Sequence, residues 1–371
     1  MAVDGAGAAL RFSLRLNNDL EPGQLIELAQ AAERAGFDQL WVSHDLMLRS
    51  APVLLGALAA STSRIGLGVG IVNPYTMHPA EIAMFASTMQ ELSGGRFHLG
   101  LAAGAADFLG WVGIEQPKPL TATREALRAL RSLLEGGRPV SVPGSGSGWT
   151  EQAYLRVPPQ PTPIYVGAMS PRMIEFAGAE ADGILALLFP PEHFTTVAEH
   201  AAAGALAAGR LGTGGSAGLD ALLASGFDLP ACVWLSVDHD QERAERALAH
   251  KLAYYGSAFS PYLLERAGLS RADFAEVDAA LRRGDPEAAA DAVTRPMLAL
   301  GIAGDPAAVV ARCEGLLALG ARHLSFGPPL GDDPVAAAIA GQALAAFRDW
   351  LQDALPGFGP SVAIGRDAFV H

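Results

Sequence analysis

His44 and Asp45 are the neighbours in this chain best suited to moving a proton. They stand just past a short apolar run, Gln39-Leu40-Trp41-Val42-Ser43. An imidazole changes charge near neutral pH, and an adjacent carboxylate can orient it. The same pair can equally cap the loop that follows. Ser170-Pro171-Arg172 offers a second kind of chemistry. Ser170 suits a helix N-cap and Pro171 the first helical position. Free N–H groups there, with Arg172 in the first turn, would hold an anion such as a phosphate. An ordinary capped helix is the plain alternative. His78, before Pro79, reads either as functional or as a helix-start contact. His98, between Phe97 and Leu99, reads as structural.

Other chemistries are missing from the sequence. There is no His-Glu-x-x-His or Cys-x-x-Cys metal spacing, no Gly-x-Ser-x-Gly elbow and no Walker lysine motif. No metal site is therefore expected. Cys232 and Cys313 are the only cysteines and lie far apart, which excludes a disulfide framework and fits a reducing cytoplasm. Without a metal, a strong nucleophile or an acid set, the hard chemistry falls to an organic cofactor.

The elements that must position these residues follow from composition and period. The chain has 371 residues, half of them apolar and only 18% charged, enough for a large core. Its net charge of −13 argues against nucleic acid, which is bound through Lys and Arg. The N-terminus lacks a basic secretory leader. No uninterrupted apolar run reaches the ~18 residues of a membrane span. Short apolar strands are expected at 12–16, 39–43, 65–71, 96–102, 163–167, 183–188, 232–237 and 322–326. Helices are expected between them at 24–35, 52–60, 79–92, 121–134, 171–177, 191–208 and 306–319, with a last one at 335–351.

Strict alternation over eight strands implies the α/β class and a closed (β/α)8 TIM barrel with insertions. The doubly wound alternative needs Gly-x-Gly-x-x-Gly after the first strand. The chain has Asn17-Asn18-Asp19-Leu20-Glu21 there instead. Residues 1–10 read as a disordered extension, 11–352 as the barrel and 353–371 as a tail. Segments near 209–229 and 240–300 read as insertions, the second helical and without a clear strand. In that second segment Tyr254, Tyr255, Phe259 and Tyr262 either line a substrate pocket or pack as core.

Barrel active sites lie at the C-terminal ends of the strands. That rule selects Ser43-His44-Asp45, the run from Gly70 through Ile71 and Asn73 to Tyr75, and the run from Ala102 through Ala103 and Gly104 to Asp107. It also selects Gly167-Ala168-Met169-Ser170-Pro171-Arg172 and Gly327-Pro328-Pro329-Leu330-Gly331. Small residues in these loops let a ligand approach the backbone closely.

Three runs carry a family resemblance: Gly36-Phe37-Asp38-Gln39-Leu40-Trp41-Val42, Gly70-Ile71-Val72-Asn73-Pro74-Tyr75-Thr76-Met77-His78-Pro79 and Leu92-Ser93-Gly94-Gly95-Arg96-Phe97-His98-Leu99-Gly100. Over about residues 11–350 the chain resembles the luciferase-like superfamily. Within it, the likeness is to the coenzyme F420 (deazaflavin) branch that includes the methylenetetrahydromethanopterin reductases. The resemblance implies a barrel inserted near strand seven, a cis peptide at Gly70–Ile71 behind the deazaflavin ring, and a homodimer built on segments 51–60 and 80–89. It implies cofactor contacts from residues 102–104 and 167–172, and hydride transfer to a C=N, C=C or C=O carbon of a small molecule. Many members carry Asp-His after strand two, whereas here His44 takes the aspartate's place. An FMN-dependent monooxygenase and a non-catalytic partner subunit are the alternative expectations.

Overall fold

The computed structural model describes residues 10–211, 218–238, 240–255 and 259–329. Its strands are β1 (Arg11–Leu16), β2 (Gln39–Val42), β3 (Gly66–Val72), β4 (Phe97–Leu101), β5 (Ile164–Gly167), β6 (Gly183–Leu187), β7 (Ala231–Val237), β8 (Ile302–Gly304) and β9 (His323–Gly327). β1 to β7 pair in order, β7 pairs with β9, and β9 returns to β1. Every pairing is parallel, so the eight strands close into a barrel. Closure buries both faces of a strand, which is why β2 and β9 are buried at every residue. β8 stands outside this ring and pairs only with the end of β7, Ile302 beside Leu235. The sequence reading has no strand there, because three residues are too few to show a period.

Proline stands in the first turn of helices Pro22–Arg34, Ala51–Ser61, Pro79–Ser93, Pro119–Leu134 and Pro171–Glu180. Its missing N–H costs nothing at that position, and its fixed φ favours the start. Helix Pro22–Arg34 buries Leu25, Leu28, Ala29 and Ala32, the stripe that predicts it. The expected helix 191–208 is a 3-10 turn, Pro191–His193, followed by helix Phe194–Ala207. A short helix, Ala106–Trp111, was not expected. Segment 209–229 is not wholly an excursion. It contains helix Leu219–Ala224, and Asp228 bridges to Gly183. The expected extension before Leu10, helix 335–351 and tail 353–371 lie outside the described residues, as do 212–217.

The second insertion is helical, as expected: Gln241–Tyr255, Pro261–Arg266, Ala275–Arg282, Pro286–Asp291 and Arg295–Leu298. It has its own core around Leu248, Leu252, Phe259, Phe274 and Met297, which meets the barrel at Phe189 and Trp234. The expected pocket aromatics therefore separate. Phe259 is core and Tyr254 is exposed, while Tyr255 packs on Trp234 with ring centres 5.0 Å apart.

Inside the barrel, large side chains lean on glycines of the next strand. Trp41 is the register partner of Gly68, and a β-carbon at 68 would fall inside its indole ring. The Ser-Gly-Gly-Arg block also explains itself. Arg96 donates to the carbonyls of Ile65 (2.6 Å), Ser93 (2.8 Å) and Thr62 (3.1 Å), tying two helix ends to the start of β3. That motif carries fold rather than chemistry.

Candidate active site

Parallel strands end at one rim, so loops distant in sequence meet there. His44 and Asp45 follow β2, Gly70 and Ile71 lie in β3 with Asn73 just after it, and Ala102 to Gly104 follow β4. Gly167 ends β5, Ala168 to Ser170 follow it, and Gly327 ends β9 with Pro328 next.

The Gly70–Ile71 peptide is cis, and the β3–β4 register shifts between Val69 and Val72. Ile71 turns its side chain across the two neighbouring strands. A β-carbon at Gly100 or at Gly167 would lie 3.2 Å from its Cγ2. Ile71 thus packs over the backbone of both glycines. Asn73 is buried, and its Oδ1 accepts from the N–H groups of Tyr75 (3.1 Å) and Thr76 (3.0 Å), which closes the turn after β3. Ala102 and Ala103 are buried, and Gly104, at φ +79°, lies against the Asn73 amide. Gln116, not singled out from sequence, donates to the carbonyls of Ala103 (2.9 Å) and Gly104 (2.8 Å) and holds that loop.

His44 Nδ1 accepts from the Ala51 N–H at 3.3 Å, the start of helix Ala51–Ser61. The helix-capping alternative is thus realised. It also sets the tautomer, since an accepting Nδ1 leaves the proton on Nε2. Burial holds the His44 pKa below its usual value, against the pull of Asp45. Burial raises the Asp45 pKa, opposed by Lys251, Ser43 and His44. Ser43 donates to Asp45 (3.3 Å) and to Asn18 Oδ1 (2.9 Å). Buried Asn18 in turn donates to the carbonyls of Asp45 (3.0 Å) and Arg49 (2.7 Å). His78 is a helix-start contact, accepting from Ala80 N–H at 3.2 Å.

Residues 167–172 divide. Ala168 is buried, while Met169 and Ser170 are exposed. Ser170 occupies the N-cap position but its hydroxyl makes no cap hydrogen bond. Exposed Arg172 lines an outer groove of about 490 Å³ with Leu120, Arg124, Glu175 and Phe176.

The barrel interior holds polar residues that sequence reasoning missed. Near the rim, Arg15 on β1 donates from Nη2 to the carbonyls of Val233 (2.6 Å) and Ser325 (3.3 Å). Lys251, from the inserted helix, sits 5.0 Å from the Tyr255 ring centre and 5.7 Å from that of Trp234. At the opposite end, His323 links Ser13 Oγ (2.9 Å) to Asp228 (3.0 Å). Asp228 also accepts from Tyr165 (2.7 Å) and Arg11, and these partners hold its pKa well below the carboxylate range despite burial. All of Ser13, His323 and Asp228 are buried, so the chain seals the barrel floor. A Ser, His or Arg breaking an apolar strand run was the available signal. His98 lies in the interior as well, tilted against Trp41 and edge-on to Tyr165.

The luciferase-like monooxygenase profile matches residues 9–323. The chain belongs to that family. It is 33% identical to the 5,10-methylenetetrahydromethanopterin reductase of Archaeoglobus fulgidus over 87% of this chain and 95% of that protein. The reductase of the same name from Methanolobus tindarius is 32% identical over 83% and 91%. Among solved structures, the coenzyme F420 dependent tetrahydromethanopterin reductase from Methanopyrus kandleri aligns over 92% of this chain and all of that one. Its TM-score is 0.77 at 29% identity. The expected barrel and family are therefore correct.

Proposed function

We propose that this luciferase-like chain is a coenzyme F420-dependent oxidoreductase. It moves a hydride between deazaflavin C5 and an electrophilic C=N, C=C or C=O carbon of a small organic substrate. The observation that carries the reading is the 33% identity sustained over 95% of the Archaeoglobus fulgidus reductase. The residues fit such a group: Gly100 and Gly167 leave room for Ile71 to lie across the strand ends, and its side chain stays partly accessible to back a flat ring.

When bound, F420 supplies the hydride donor or acceptor at C5. Ile71 would back the ring from within the barrel. Residues 102–104, held by Gln116, and residues 167–170 approach its polar parts with backbone. His44, pinned through Nδ1, offers its Nε2–H to a substrate oxygen or nitrogen, and half-buried Asp45 is the nearby proton store. The barrel wall and the inserted helices keep water from the reacting centre.

The family's description names monooxygenases, which makes FMN the competing cofactor. Titrating the purified protein with coenzyme F420 and, separately, FMN decides between them by absorbance and fluorescence. Tight F420 binding with negligible FMN binding is expected. Preferred FMN binding would move the chain to the monooxygenase reading. Binding of neither would make it a non-catalytic barrel.

The protein works as a homodimer in the cytoplasm on this reading. Val53 and Met84 are exposed on helices Ala51–Ser61 and Pro79–Ser93, where a second copy would cover them. Light scattering should give twice the chain mass. Both cysteines are free and buried, as a reducing compartment permits. Among the described residues no helix is long and apolar enough to cross a membrane.

A further inference from the structure

Arg15 is a cation set inside a barrel. Protein encloses it deeply, and burial lowers its pKa. It nevertheless keeps part of its surface accessible. Its hydrogen bonds go to backbone carbonyls of β7 and β9. Its Nε is buried and has no hydrogen-bond partner among the described residues. The side chains that act on it electrostatically are Cys232 and Tyr255, and no carboxylate is among them. Asp45 and Asp19 act on Tyr255 beside it, and Asp45 is answered by Lys251 and His44. A guanidinium keeps its charge at any physiological pH, and a buried charge without a counter-charge is unfavourable. A guanidinium held only by neutral carbonyls pairs favourably with a carboxylate.

We propose that Arg15 anchors a carboxylate of the substrate within the barrel mouth, so that the substrates are small organic acids. The inference rests on the mouth being the reaction chamber argued above and adds the substrate class. Lys251, over Trp234 and Tyr255, reinforces the positive side of the chamber. Gly327 keeps the space that Arg15 occupies.

The test uses the full chain and small probes that fit any such chamber. Melting temperature and tryptophan fluorescence are followed while formate, acetate and benzoate are titrated at constant ionic strength. Formamide, acetamide and benzamide serve as neutral counterparts. At least one acid should bind saturably and at least tenfold tighter than its amide. Arg15→Gln should abolish that preference and Arg15→Lys should weaken it, whereas Arg295→Gln on the surface should leave it intact. Equal response to acid and amide, no saturable response to any acid, or a preference surviving in Arg15→Gln would each overturn the proposal. Circular dichroism melts show whether each variant folds, and the acid–amide comparison in the unaltered chain decides even if Arg15→Gln does not. F420 titration alongside separates the two readings. Acid preference without F420 binding removes the cofactor and keeps the anion site, and F420 binding without acid preference does the reverse.

Discussion

Arg15 and Gly327 share one space: a β-carbon at 327 would lie 2.7 Å from Arg15 Nη2 and 2.9 Å from its Cζ. Gly327→Ala should therefore push the guanidinium off the carbonyls of Val233 and Ser325. Overpacking of this kind costs ~1–3 kcal/mol. Urea denaturation should show that loss, and benzoate affinity should fall with it. An unchanged midpoint together with unchanged affinity would show that the guanidinium moves freely.

Trp41 depends on Gly68 in the same way, with its indole N–H donating to Gln39 Oε1 at 3.1 Å. Gly68→Ala should destabilise by about 1–3 kcal/mol through overpacking. Adding Trp41→Phe should recover part of that loss, because the smaller ring yields room. A double-mutant cycle in denaturant measures the coupling.

His44→Ala removes the acceptor from Ala51 N–H. Loss of a helix-start partner should cost ~1 kcal/mol. If His44 also serves substrate, kcat should fall at least tenfold at a temperature well below the melt. His44→Asn keeps a side-chain oxygen for Ala51 N–H and should restore stability without restoring rate. Equal recovery of both would reduce His44 to its capping role.

Ile71→Ala strips the side chain that packs over Gly100 and Gly167. F420 affinity should fall by about tenfold, equivalent to ~1.4 kcal/mol. Ile71→Trp should abolish binding by filling the ring's place. Fluorescence titration reads both, and unaltered affinity in both variants would place the cofactor elsewhere.

Acid should weaken the fold in a defined window. His193 is buried with neither ring nitrogen hydrogen-bonded among the described residues, and its pKa is lowered to about 4, chiefly by burial. Burial lowers His44 and His98 too. Each folded pKa lies below the unfolded value of about 6.5, so the unfolded chain takes up protons first as pH falls. Stability is complete above about pH 6.5 and declines below it. His193 alone contributes on the order of 3 kcal/mol to that decline. Asp228, held low, keeps its contribution until pH falls below the unfolded carboxylate value near ~3.9. Melts from pH 7.5 to 4.5 should show a steady fall that His193→Phe makes shallower; parallel curves for both proteins would assign the sensitivity elsewhere.

Much of the barrel was legible because its signals are local. Leu25, Leu28, Ala29 and Ala32 mark a helical stripe within one short window, and Pro22 marks its start. The rim loops could be named because the barrel rule turns strand ends into positions. β8 was illegible, since Ile302-Ala303-Gly304 is too short to show a period. The placement of the cis peptide at Gly70–Ile71 came from resemblance and not from the residues' own chemistry.

By itself, the sequence determined the alternation of strands and helices, the family, and the identity of the groups that could react. Those follow from periodicity, breakers and side-chain chemistry, which operate over a few residues. Only the tertiary structure decided which groups meet. It pinned His44 through Nδ1, joined Ser13 to His323 and Asp228, and set Arg15 against Gly327. Barrel closure brings β9 beside β1, and the packing of interior side chains across that seam depends on shape and charge from both ends of the chain.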